Sequence, residues 1–152
     1  MKYEKPEDIN VEENISKLVE ETFKLHVWKD HSSFAPIDFF VTNAFMEMVS
    51  LMEVKGRVAY NSNSFKEGVF IPLDKIDYIY KHAFNDYPRL NEVWYVIQWK
   101  DKVTMAKIFR EHEGFFKNTK PQIATRQRES GNTTNLCHLI PLDWFKTLDK
   151  WV

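Results

Sequence analysis

The sequence has little of several features that mark particular classes of protein. It contains a single cysteine, Cys137, which excludes an internal disulfide and is typical of the reducing cytosol. No run of about 18 apolar residues is present, so we expect no membrane-spanning helix. The amino-terminal segment is charged and has no apolar stretch of the kind that export signals carry, so we expect a cytoplasmic protein. With only four glycines, the chain also lacks a glycine-rich phosphate-binding loop.

The composition is that of a folded domain. Hydrophobic residues make up 43% of the chain and aromatic residues 15%, which excludes a disordered protein. A length of 152 residues predicts one domain, 1–152, with a core of ordinary size. The net charge is −1, but residues 1–30 have a local charge of −3 and residues 100–128 a local charge of +5. This asymmetry is compatible with an anionic partner such as nucleic acid, and equally with a solvated basic surface.

The apolar spacing predicts helices and strands in a mixed α+β order. Residues 6–26 have apolar side chains at intervals of three and four, which predicts a helix. Residues 119–134 are rich in Gly, Ser, Thr and Asn and have no apolar period, which predicts a loop. The other predicted elements are two strands within 35–57, a helix over 72–85, strands at 93–99 and 103–109, a short helix over 110–118, a strand at 136–140 and a helical turn from 141. The order predicts a mixed α/β (α+β) layer fold.

Charged residues stand where two of these strands end. Asp38 lies inside an apolar run, and Glu53-Val54-Lys55 ends the next one. Because side chains alternate between the two faces of a strand, Glu53 and Lys55 share one face and Val54 takes the other. Two acids and an ammonium group on one face of neighbouring strands predict a metal site with a charged helper.

The connection between the two strands decides whether this site forms. If Asp38 lies opposite Glu53, the hairpin is centred between residues 45 and 46 and its loop covers about residues 43–48, a usual length. A tight turn at residues 42–44 would leave Glu53 about 17 Å from the residue opposite Asp38, unless a bulge absorbed the difference. We predict the longer loop.

Each of these charged residues also has a simpler interpretation. Glu53 and Lys55 fit a structural ion pair or exposure at the end of a strand. Glu12 lies at one edge of the apolar stripe of the first helix and Glu21 at the other edge. An acid at such an edge either faces a site at the end of a sheet or keeps the surface soluble.

The pattern formed by these residues resembles the PD-(D/E)XK nuclease superfamily. The resemblance lies in an acid on the first helix, Pro36-Ile37-Asp38 on one strand and Glu53-Val54-Lys55 at the end of the next. The order of elements, the small size and the apolar-Pro-x-x-Trp ending in residues 139–145 are similar to Holliday-junction resolvases of phages and bacteria. Some relatives carry a glutamine on the helix after the motif. Lys75, Asp77 and Tyr78 stand there in this chain, and we assign none of them to the site.

The resemblance implies a fold, an activity and a set of partners. The fold would be restriction-endonuclease-like, with a central mixed sheet flanked by helices. The protein would be an endonuclease that hydrolyses phosphodiester bonds of branched or structured DNA. It would act in DNA recombination as a homodimer, in the cytoplasm of a bacterium or a phage-infected host.

The resemblance also implies roles for individual residues. Asp38, Glu53 and the Val54 carbonyl would hold Mg²⁺ or Mn²⁺, hard cations that prefer oxygen ligands. Glu12 would be the acid that binds a second metal ion or orients the attacking water, with Glu21 as the reserve candidate. Lys55 would hold the attacking water or the scissile phosphate. The residues that would contact flanking phosphates of DNA are Lys66, Arg126 and Arg128.

Two other classes of protein fit the same residues. One is a non-catalytic module that binds DNA or another protein on a nuclease-like fold. The other is a small structural or regulatory protein in which the motif is accidental, and in which Asp38 and Glu53 lie far apart.

Overall fold

The computed structural model of the protein describes residues 6–30, 37–64, 67–128 and 131–152. Its main elements are α1 (Pro6–Phe23), β1 (His26–Lys29), β2 (Phe39–Thr42), β3 (Met48–Arg57), β4 (Val69–Pro72), α2 (Leu73–Tyr78), α3 (Phe84–Asp86), β5 (Glu92–Trp99), β6 (Val103–Phe109), α4 (Glu113–Asn118), β7 (Gln122–Arg128), β8 (Gly131–Ile140) and β9 (Lys146–Thr147). A π-helical turn, Ile79–Ala83, joins α2 to α3. Short 3₁₀ turns are Arg110–His112, Leu142–Trp144 and Leu148–Trp151.

A six-stranded mixed sheet forms the centre of the molecule, in the order β1-β2-β3-β5-β6-β9. Strands β1, β2 and β3 form an antiparallel meander, and β5 and β6 form an antiparallel hairpin. Strand β3 pairs with β5 in parallel, and the crossover between them contains β4, α2 and α3. The predicted mixed α+β class, with a central mixed sheet flanked by helices, is confirmed.

The central sheet has a hydrophobic core on each face. On one face, Ile15 and Val19 of α1 belong to a buried cluster with Met52 of β3. On the other face, Ile76 of α2 belongs to a cluster with Leu51 of the same strand. Because successive side chains of β3 point to opposite faces, Leu51 and Glu53 point towards α2.

The first helix is shorter than the predicted one, and a strand follows it. Helix α1 ends at Phe23, and Lys24 adopts a left-handed conformation with φ 57°. Strand β1 then begins at the last residue of the predicted helix and continues through residues for which no element was predicted. Its burial alternates between exposed and intermediate positions, so it lacks the strong apolar alternation that identifies a strand in a sequence.

A second sheet has three strands in the order β4-β8-β7. The prediction of a loop over 119–134 is wrong, because β7 pairs with β8 from Gln122–Cys137 to Arg128–Gly131. Several described side chains of this hairpin are exposed, including Ile123 and Leu136. Exposed strand positions produce no apolar period, so the ladder of main-chain hydrogen bonds there leaves little trace in the sequence.

Candidate active site

The register between β2 and β3 brings the two predicted acids opposite each other. Phe39 pairs with Met52, and Phe40 pairs with Leu51. Continuing this register by one residue places Asp38 across from Glu53, and directly opposed residues of antiparallel strands share a face. The main-chain carbonyl of Asp38 also accepts a hydrogen bond from the Asp30 amide, which extends the β1–β2 pairing to this position.

The loop between these strands has the predicted longer form. Strand β2 ends at Thr42 and β3 begins at Met48, with a register shift next to Thr42. The Asn43 side chain holds the loop, because its Oδ1 accepts hydrogen bonds from the amides of Phe45 at 2.9 Å and Glu47 at 3.0 Å. The tight turn at 42–44 is therefore excluded, and Asp38 and Glu53 are not far apart along the two strands.

Glu53 is a buried carboxylate with two lysines beside it. The residue is only 6% exposed. The Nζ atom of Lys55 lies 3.5 Å from Oε1 of Glu53, which confirms that these two side chains share a face. The Nζ atom of Lys75, on α2, donates a hydrogen bond to the same oxygen at 2.5 Å. Burial of an uncompensated carboxylate is costly, and the two ammonium groups supply the opposite charge beside it.

The second oxygen of this carboxylate has a different environment. Oε2 of Glu53 is buried and has no hydrogen-bond partner within the described ranges. A buried carboxylate oxygen without a donor is unusual in a folded protein and indicates a position for a ligand, an ion or a water. Asp38, half-buried and opposite Glu53, is the other acid on this face.

Val54 separates Glu53 from Lys55 and points away from them. Its side chain packs against the core cluster beneath α1. The β2–β3 ladder ends at Met52, so among the described residues the segment 53–57 of β3 pairs only with β5. The main-chain groups on the β2 side of this segment are therefore not used by that ladder. That side is the edge of the strand where a main-chain ligand of a metal ion is expected.

Glu12 lies on the opposite side of the central sheet. Its Oε2 forms an ion pair with Nζ of Lys29 at 2.9 Å, and that ammonium lies 5.9 Å from the centre of the Phe39 ring. Phe39 belongs to the core beneath α1, whereas Glu53 points towards α2. The structure therefore does not bring Glu12 to the predicted site, and Glu21, on the same helix, is not brought there either. An acid at the edge of the apolar stripe is expected to lie close to the sheet. The stripe does not show which face of the sheet the helix covers.

The other described acids do not complete a larger metal centre around this pair. In the described part of the chain, no three or more His, Cys, Asp or Glu side chains converge closely enough to hold a metal ion. Asp38 and Glu53 are thus a pair of candidate ligands.

The predicted DNA-contacting residues are only partly described. Lys66 lies outside the described residues, as does Pro36 of the motif. Arg126 and Arg128 lie on β7, where they pair with Thr133 and Gly131 of β8. This hairpin belongs to the smaller sheet, which continues through β4 into α2, the helix that carries Lys75.

Lys75 is the site residue that we did not predict. It lies in the first turns of α2, directly after Pro72, where the predicted helix begins. No local signal in the sequence distinguished Lys75 from a surface lysine, because its partner Glu53 belongs to a different element.

The adjacent pair Cys137 and His138 does not form a second active site. Burial raises the pKa of the Cys137 thiol, which disfavours the reactive thiolate. The two side chains occupy successive positions of β8 and so point to opposite faces. Cys137 is a buried free cysteine.

Comparisons with known proteins add no assignment to these residues. No protein-family model matches the sequence, and neither a curated protein nor a solved structure matches it. Among the described residues, no helix is both long enough and apolar enough to cross a membrane. Function is therefore inferred from the side chains around the end of β3.

Proposed function

We propose that the protein is a Mg²⁺- or Mn²⁺-dependent endodeoxyribonuclease of the PD-(D/E)XK type that hydrolyses phosphodiester bonds. The observation that carries this proposal is the meeting of Asp38, Glu53 and Lys55 on one face of two neighbouring strands. The register of β2 and β3 supports the opposition of the two acids. The 3.5 Å separation of Lys55 Nζ from Glu53 supports a cationic group within the same site.

The donor set fits a hard divalent cation. Mg²⁺ and Mn²⁺ favour oxygen ligands, and a Mg²⁺ site commonly uses one or two carboxylates with water and phosphate oxygens completing the shell. Asp38 and Glu53 supply two such carboxylates, and the Val54 carbonyl is the candidate main-chain ligand. The buried Oε2 of Glu53, which lacks a hydrogen-bond donor among the described residues, is an oxygen that a cation would satisfy. When bound, the metal would lower the pKa of a coordinated water and offset charge on the phosphate.

The protein's own cations have separate roles in this proposal. Lys55 is a compact point charge within reach of Glu53, suited to hold the attacking water or the scissile phosphate. Arg126 and Arg128 on β7, together with Lys66, would contact flanking phosphates. Such contacts do not depend on base sequence and weaken as salt concentration rises.

We further propose that the substrate is branched or structured DNA and that the enzyme acts as a homodimer in the cytoplasm. Two copies of the site are needed to cut two strands symmetrically at a junction. The resemblance to resolvases supports this part of the proposal. The single cysteine, which is buried and free, suits a reducing compartment.

The test is cleavage of a four-way DNA junction beside linear duplex of the same sequence, in Mg²⁺, in Mn²⁺ and in EDTA. We expect metal-dependent cleavage that favours the junction and is lost in Glu53→Gln and Lys55→Met. Lys107→Met is the matched control, because Lys107 forms a similar ion pair with Glu92 at 3.5 Å on the opposite face of the sheet. Equal cleavage of both substrates would contradict the proposed preference for junctions, while the proposed nuclease activity would stand.

The engagement of Glu53 by two lysines also favours a second candidate, a binding module that does not cut. A carboxylate compensated by Lys75 and Lys55 resembles a purely structural ion pair. The same cleavage experiment, with DNA binding by the same protein measured at several salt concentrations, separates the two functions. Salt-sensitive DNA binding without cleavage in either metal would support the module and contradict the nuclease.

A further inference from the structure

We propose that Lys75 is the internal counter-ion of Glu53, and that a divalent cation must displace it in order to bind. This inference rests on the proposed function, because it concerns the same metal site. It assigns a role to a residue that the motif does not contain. Lys75 acts through Glu53 and is therefore a positioning residue.

The geometry distinguishes Lys75 from Lys55. Both ammonium groups approach Oε1 of Glu53, but Lys75 lies at 2.5 Å and Lys55 at 3.5 Å. The side chain of Lys75 is also the less exposed of the two, at 15% against 23%. Lys75 is thus the closer and more desolvated of the two ammonium groups at this carboxylate.

The ammonium of Lys75 and a metal ion compete for the Glu53 carboxylate, because both are positively charged. A divalent cation on the Glu53 carboxylate would lie close to the Lys75 ammonium, and like charges repel strongly where water is largely excluded. The ammonium must therefore move away, or the cation binds more weakly. Because the carboxylate is buried, it needs a compensating positive charge in both states. Lys75 supplies that charge in the metal-free protein.

The direct test is calorimetric titration of Mn²⁺ into the full chain without DNA. Removal of the ammonium by Lys75→Met should tighten Mn²⁺ binding about tenfold or more, the scale of coupling for one close charge pair. Lys75→Gln keeps a hydrogen-bond donor towards Glu53 and should show the same gain, so it serves if the methionine variant does not fold. Lys107→Met is the matched control, since its side chain is 14% exposed and pairs with Glu92 instead.

The difference between thermal unfolding in EDTA and in Mn²⁺ is a readout that a purely structural lysine would not change. In EDTA, Lys75→Met should unfold at a lower temperature than wild type, because Glu53 loses its nearest cation. In excess Mn²⁺ the variant should gain about 3–6 °C more than wild type gains, the shift that a tenfold tighter ligand produces in a domain of this size. A structural role predicts the same deficit in both conditions.

The outcomes separate this inference from the proposed function. If wild type binds Mn²⁺ and loses it in Glu53→Gln, but Lys75→Met and Lys75→Gln bind it no tighter, the counter-ion role is wrong and the metal site stands. If wild type and both variants bind no Mn²⁺, the inference and the metal site both fail. Tight binding that appears only in the Lys75 variants, and depends on Glu53, would support the displacement.

Discussion

Replacement of Glu53 by leucine should destabilise the metal-free protein measurably. The ammonium of Lys75 lies 2.5 Å from Oε1, where raw attraction is about 6–7 kcal/mol at an effective dielectric constant of about 20. Desolvation of the two charges offsets most of this attraction. Because Lys75 is still 15% exposed, its ammonium can partly rehydrate after the substitution. We therefore expect Glu53→Leu to cost about 2 kcal/mol, below the cost of breaking a fully buried pair.

The assay is urea unfolding in EDTA, arranged as a double-mutant cycle. Glu53→Leu, Lys75→Leu and the double variant are compared with wild type, which isolates the pairwise free energy from other effects of each substitution. We expect a coupling of about 2 kcal/mol for Glu53 with Lys75. The corresponding cycle with Lys55→Leu should give about half of this value, because that ammonium is more distant and more exposed.

Two results would refute this reasoning. A coupling near zero between Glu53 and Lys75 would mean that the short contact contributes nothing to stability and that the carboxylate is compensated in another way. A larger coupling to Lys55 than to Lys75 would reverse the assignment of the principal counter-ion. A change in the denaturant slope would show that the substitution altered the unfolded or native ensemble, and that the cycle needs a different variant.

The other predictions concern positions away from this carboxylate. Glu12→Gln should leave DNA cleavage and Mn²⁺ affinity within about twofold of wild type, since Glu12 pairs with Lys29 across the sheet, and it should cost less than about 1 kcal/mol. Gly68→Ala should cost about 2–3 kcal/mol in urea unfolding, because Gly68 has φ 141° and an added Cβ would lie 2.2 Å from the Ile140 carbonyl oxygen; equal stability would contradict the clash. Burial lowers the pKa of His138 below its ordinary value. As pH falls, the unfolded chain therefore binds a proton at this histidine before the folded protein does. Stability should therefore fall as pH drops from 7 to 5, and His138→Asn should remove this part of the slope.

Much of the candidate site could be predicted from local sequence, because it depends on the alternation of side chains along a strand. Alternation places Glu53 and Lys55 on one face. The distance along the chain between Asp38 and Glu53, together with an ordinary loop length, predicts their opposition. The hairpin of β5 and β6 follows in the same way from two apolar segments and a charged turn between them. These features need only a few neighbouring residues to specify them.

Other features could not be predicted because they depend on contacts between distant elements. The sequence contains no sign that β3 pairs in parallel with β5, and that pairing places the crossover helix α2 over the face of Glu53. For the same reason it did not show that α1 covers the other face, with Glu12 on the wrong side of the sheet. The β7–β8 hairpin was predicted only at residues 136–140. Strand β7 was missed because it is held by main-chain hydrogen bonds, and its described side chains, such as Ile123, are too exposed to leave an apolar pattern.

By itself, then, the sequence determined which side chains share a face of each strand and how the β2–β3 hairpin closes. Only the tertiary structure decided that Lys75 reaches Glu53 and that Glu12 does not. The physical reason is that side-chain periodicity is a property of one element. The face of a sheet that a helix covers is set instead by strand order and crossover geometry, which depend on the whole chain.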